Sequence, residues 1–345
     1  MIFKRRGRER FLDAVTGFEA ALRQQDSAAA ERGLRQLHRH YGRAGAQELA
    51  TGAARLAGAL ADVPPGPRGT VAVVIGACVE RGADPRACAP AVLDRLEDAV
   101  RAAGEFCERW TGSGDDDLPE PEDPGPDEKV IERTGFEQAM AWWSLPQWEM
   151  ASVAMLSHAA VRTGLDPARR AALLTSVRAV EEASGHDFKC LKYALLVLDD
   201  EPLVVFDRPS GTGYALRMSG IGDTFQLHTL LAHRLVGGGH LPGSAPAPQE
   251  VAVCRDAPGQ VPTRGAFNLV APDGSWIWNE GTPSDIPVVD GSRLLVLDPP
   301  PYDRGWPAGR FFPGMTGDLV LERVLTAEET AQWSAHVEPA KELDN

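Results

Sequence analysis

The residues best placed for chemistry lie between 214 and 236, where a strand, a glycine turn and a helix are expected in succession. Ser219-Gly220-Ile221-Gly222 precedes Asp223, and such a turn at a helix N-terminus can offer backbone N–H groups to an anion. Ser219, Gly220 and Gly222 are therefore the candidate anion-binding residues. The pattern stops at G-x-G, because Phe225 stands where a dinucleotide loop needs its third glycine, and no Walker A sequence is present. Asp223 also competes, since a helix N-cap carboxylate takes the same N–H groups and repels phosphate. His228, on the helix, is the candidate general base, with Asp223 and Arg217 as its catalytic partners. It shares a helix face with Phe225 and Leu235, which is equally the pattern of a core histidine.

Two other segments carry side chains suited to recognition. In SWIWNEG, alternation puts Trp276 and Trp278 on one face, with Asn279 and Glu280 at the strand end, an arrangement that suits a ligand cleft or the cover of a core. The loop PPPYDRGWPAGRFFPG, 299–314, is long and aromatic, and Tyr302, Arg304, Trp306, Arg310, Phe311 and Phe312 are its candidate partner-binding residues. Trp142 and Trp143 are adjacent, so on a helix they point about 100° apart, and one of them is expected to mark a partner-binding face. His186 and Cys190 stand at i and i+4, but no third ligand follows at a metal-binding spacing, and no H-E-x-x-H occurs. No metal or cofactor is expected.

The elements that must hold these residues divide the chain. Residues 1–110 read as helical, with helices at about 9–24, 27–41 and 46–61 and a firm stop at PPGPRG, 64–69. ACVERGADPRACAPAVL at 77–93 resembles AAVRTGLDPARRAALL at 159–174, and both read as a helix end, a glycine turn, an Asp N-cap and a Pro-led helix. Residues 111–132 form an acidic, Pro-rich linker or loop, and 133–186 continue the helical region. The stretch 187–345 reads as an α+β domain with a largely antiparallel sheet. Its strands are expected at 193–198, 203–206, 214–218, 251–254, 265–270, 275–279, 286–289, 293–298 and 319–324, with helices after Asp223 and Thr326.

Composition narrows the function classes. The formal charge is -14, and within 111–130 eight acids stand against Lys129, so half of it sits in that acidic segment. No global positive field exists to collect phosphates, which argues against nucleic acid as the partner. No apolar run approaches the roughly 20 residues of a membrane span. Five scattered cysteines and a basic start without an apolar leader core suit a reduced, cytoplasmic protein, and the excess of Arg over Lys reads as a bacterial compositional bias. The basic start itself reads as a solvated terminus. The sum favours an interaction or regulatory protein that binds a protein partner through its aromatic loop and helical surfaces. The alternative is an enzyme acting on a small anionic or phosphorylated substrate in the C-terminal domain, with His228 as base. Oligomeric state is left open.

Overall fold

Phe11, Val15 and Phe18, spaced by 4 and 3, are all buried on the helix Arg10–Arg23, as an amphipathic stripe requires. Ser27–Tyr41 and Ala46–Ala59 follow at the expected places. The computed structural model describes residues 10–113, 117–121 and 125–342. The basic start before Arg10 and two stretches of the acidic segment lie outside the described residues. Contacts divide the chain into two units, Met1–Leu195 and Leu196–Asn345.

The first unit is a helical bundle. The proline run 64–69 does not stop helix formation, because Pro65 opens the helix Pro65–Glu80. A proline in the first turn has no intrahelical N–H bond to lose, and its fixed φ suits a helix start. Both Asp-Pro signatures form hairpins: the Asp84 carboxylate accepts from the Arg86 amide at 3.0 Å, and the Asp166 carboxylate from the Arg169 amide at 2.9 Å. They are not equivalent hairpins. The first joins Pro65–Glu80 to Pro85–Gly112, and the second joins the four-residue Ala159–Arg162 to Pro167–Ser184.

In this unit Trp110, Trp142 and Trp143 meet around Phe106. Trp142 and Trp143, on Phe136–Trp143, both reach Phe106, Trp142 stacked at 5.3 Å and Trp143 edge-on at 5.7 Å. The acidic segment is shorter than expected, because 111–112 end the helix Pro85–Gly112 and 128–132 fall in the helix Glu128–Thr134, which Asp127 caps by accepting the Val130 amide at 2.9 Å. Its other described residues carry neither helix nor strand, yet some of them are tied down. The indole N–H groups of Trp110 and Trp142 donate to the carbonyls of Asp117 at 3.1 Å and Pro119 at 2.9 Å.

Two runs expected as strands are helices. Residues 193–198 fall mostly in Lys189–Leu196, where Leu191, Ala194 and Leu195 bury one face at helical spacing. Residues 251–254 fall in Pro248–Arg255, opened by Pro248 and by Glu250, whose carboxylate accepts the Ala247 N–H.

In the second unit the main sheet runs β4 (Asn268–Val270), β6 (Ser292–Asp298), β1 (Glu201–Asp207), β2 (Thr212–Ser219) and β8 (Asp318–Val324), with β5 (Val288–Val289) on β6. Only the β1–β6 pairing is parallel among these. Alternation sends Leu203, Val205, Tyr214, Leu216 and Met218 to one face, under Leu227, Leu230, Leu231 and Leu235 of the helix Thr224–Leu235. The opposite face packs Val204 and Leu294 with Leu325, Trp333 and Val337.

The loop after β6 is not wholly irregular. It contains β7 (Gly305–Ala308), paired antiparallel with β3 (Val261–Arg264). The expected segment 275–279 makes a single bridge, Trp276 to Val270, and no strand.

Candidate functional site

The helix Thr224–Leu235 starts where its sequence says it should. Asp223 caps it, accepting the Gln226 amide at 2.7 Å, while Gln226 Oε1 reaches past the cap to accept the Gly222 N–H at 2.9 Å. Three more backbone donors at the turn and helix start are engaged as well. The Gly220 N–H goes to Leu198 O at 2.9 Å, Thr224 N–H to Gly281 O at 2.9 Å and Phe225 N–H to Asn279 O at 3.1 Å. Ser219 Oγ accepts the Asp200 amide at 2.8 Å. Glycine at 222 is explained by packing: a Cβ there would lie 3.1 Å from Phe311 Cβ and from Phe312 Cδ2. The turn therefore seats the aromatic loop.

His228 lies within that helix, fully buried. Its Nε2 accepts the amides of Ala266 at 2.9 Å and Phe267 at 3.3 Å. A nitrogen that accepts carries no proton, so the proton sits on Nδ1 and faces Asn279 Oδ1 at 3.4 Å. The ring lies edge-on to Trp306 at 4.8 Å and stacks with Phe267 at 5.6 Å. Burial first, and the Arg304 guanidinium second, push the imidazole pKa down to about 3, against a raising contribution from Asn279. A neutral imidazole whose lone pair is already engaged has no free nitrogen with which to take a substrate proton.

The expected catalytic trio is not assembled. Arg217 alternates to the sheet face opposite Leu216 and Met218, where it donates to Glu322 at 2.7 Å and to Asp200 O at 2.9 Å. The structure instead brings His228 together with Asn279 and with the loop residues Arg304 and Trp306. Arg304 donates to Phe267 O at 2.6 Å, and Trp306 packs on Phe225 at 5.3 Å. Arg310 donates to Met315 O and Ala257 O, each at 3.0 Å, and Phe312 is buried. Most of the aromatic loop thus binds its own unit, and Tyr302 stays half exposed. In the first unit Trp142 is buried and Trp143 partly so.

Trp276 and Trp278 do share a face, with ring centroids 6.0 Å apart. Between and beyond them Ile277 and Asn279 are buried, Ile277 donating its N–H to Leu269 O at 2.8 Å. Trp278 is 52% exposed, and Glu280 beside it is exposed too. Trp276 is partly covered, and its indole N–H donates to Lys341 O at 3.1 Å. The sequence did not mark Asp273, Gly274 and Lys341 as partners of this face, although Lys341 bonds Trp276 and Asp273 directly. A glycine and a charge beside exposed tryptophans were the available signal.

Among the described residues no three His, Cys, Asp or Glu side chains gather as a metal site, and no helix is long and apolar enough to cross a membrane. Comparison with known family models, with curated proteins and with solved structures finds no match to this chain.

Proposed function

We propose that this is an interaction protein that binds a protein partner through aromatic side chains of its α+β unit, with Trp278, Trp276 and Tyr302 as contact groups. The observation that carries the reading is Trp278. Its neighbours on both sides are buried and hydrogen-bonded, so the backbone is fixed, yet the indole is half in water. Rigid, exposed tryptophans are the side chains that most often dominate binding energy at interfaces. Nearby, both ring nitrogens of His228 and the Gly220 and Gly222 amides of the turn are engaged within the chain, and this supports binding over catalysis. A reducing, cytoplasmic setting belongs to the same proposal and is supported by five unpaired cysteines, four of them buried.

The test is site-specific photo-crosslinking in cells of the native host, with a benzophenone amino acid placed at position 278 or at the equally exposed Val288. The reading expects one discrete crosslinked protein from position 278 and none from 288. Equal, diffuse products from both positions would count against a specific surface.

A further inference from the structure

The segment 338–341 crosses the turn that precedes the tryptophan pair and is held there by main-chain bonds. Glu338 N–H donates to Pro272 O at 2.7 Å, Lys341 N–H donates to Gly274 O at 2.8 Å, and the Trp276 indole N–H donates to Lys341 O. The Lys341 ammonium meets Asp273 Oδ2 at 3.0 Å, and Arg208 reaches Glu338 O at 2.9 Å. Gly274 is what lets the strap lie flat. Its φ is +82°, and a Cβ would collide with the Pro339 carbonyl oxygen. The strap side chains from Glu338 to Lys341 are themselves exposed, so few apolar contacts hold it, as expected of a segment that opens locally.

We infer that the 272–276 turn, with Trp276 and Asp273, is a docking groove for an extended peptide, occupied in this chain by its own strap. The partner segment that takes its place is extended and carries a lysine or arginine opposite Asp273. Recognition of such a segment rests on its backbone, which Pro272 O, Gly274 O and the Trp276 indole N–H read, and on one cation. The cation is argued from the Lys341–Asp273 pair, and the extended form from the strap's own bonds. Strap release also uncovers Trp276, so the groove and the aromatic surface open together. This inference rests on the reading of the tryptophan pair as a contact surface.

The test uses a chain ending at Val337 and a synthetic peptide of residues 338–345, followed by the NMR signal of the Trp276 indole N–H. Saturable binding with a Kd on the order of 0.1 mM or tighter is expected, since a strap tethered at an effective concentration of about 1 mM fills its groove only if the free segment binds well below that concentration. The full chain should not respond, because its groove is filled. Gly274→Ala in the shortened chain should abolish the response. A peptide carrying Lys341→Ala should bind about threefold more weakly, in line with one exposed ion pair. A shortened chain that keeps its near-ultraviolet dichroism and shows no peptide response would overturn the inference. If shortening unfolds the unit, Lys341→Ala in the full chain replaces it: faster indole exchange at Trp276 supports the strap, and unchanged exchange overturns it. Loss of the tryptophan reading is separable, since a partner indifferent to Trp278→Ala leaves the peptide titration unaffected.

Discussion

His228 makes a stability prediction whose sign is the reverse of the usual histidine case. In the unfolded chain an imidazole titrates near 6.5, while in the fold burial and Arg304 hold it near 3. Below the unfolded pKa the unfolded state therefore binds a proton that the folded state refuses. The stabilisation is complete above that pKa and is lost as pH falls, until the folded pKa is reached. Each unit of pH below 6.5 costs about 1.4 kcal/mol, so between pH 7 and pH 5 this one group removes about 2 kcal/mol.

The variant His228→Gln keeps an acceptor for the Ala266 and Phe267 amides but cannot titrate. It should lose about 1–3 kcal/mol at pH 7 through poorer hydrogen bonding and packing against Trp306. The assay is hydrogen exchange at the Ala266 and Phe267 amides, which report opening at the site itself and correct for intrinsic rate. In the parent chain the opening equilibrium should rise about 30-fold from pH 7 to pH 5 beyond any rise in the variant. Parallel pH dependence in the two chains would refute the argument, and so would a protonated imidazole in the native state at pH 6.

Other substitutions probe the same geometry. Gly222→Ala should cost about 1–3 kcal/mol, read as a lowered unfolding midpoint, because its Cβ meets Phe311 and Phe312 at 3.1 Å. Gly17→Ala, on an exposed helix position with nothing within 4 Å, should stabilise the first unit by about 0.5–1 kcal/mol in the same melts. Trp142→Phe removes the indole donor to Pro119 O and should cost about 1 kcal/mol, with faster limited proteolysis at 117–121 as the second readout. Arg217→Ala should leave the denaturant midpoint nearly unchanged, since its ion pairs with Glu322 and Asp200 are exposed.

Local signals in the sequence carried much of the architecture. The Asp-Pro caps at 84 and 166, the Asp223 cap and the Thr326–Glu329 capping box appear where their chemistry requires. The Trp276/Trp278 face followed from alternation alone. The two helices expected as strands have one cause. Runs such as 193–198 and 251–254 are too short for a period of 2 to be told from 3.6, and β-branched content then misleads. Relations between distant segments were hidden altogether. The backbone donors that engage His228 come from Ala266 and Phe267, 38 and 39 residues onward, and Arg304 reaches it only after β3 and β7 have paired. Of the residues that looked reactive one at a time, His228 meets Asn279, while Ser219, Arg217 and Asp223 bond to other neighbours.

The claim that the tryptophan pair is the contact surface is tested most directly by calorimetric titration of the crosslinked partner, once purified, against the parent chain and Trp278→Ala. The account predicts binding at least tenfold weaker for the variant, about 1.4 kcal/mol or more, with an unchanged unfolding midpoint. Equal affinity for both chains would contradict it.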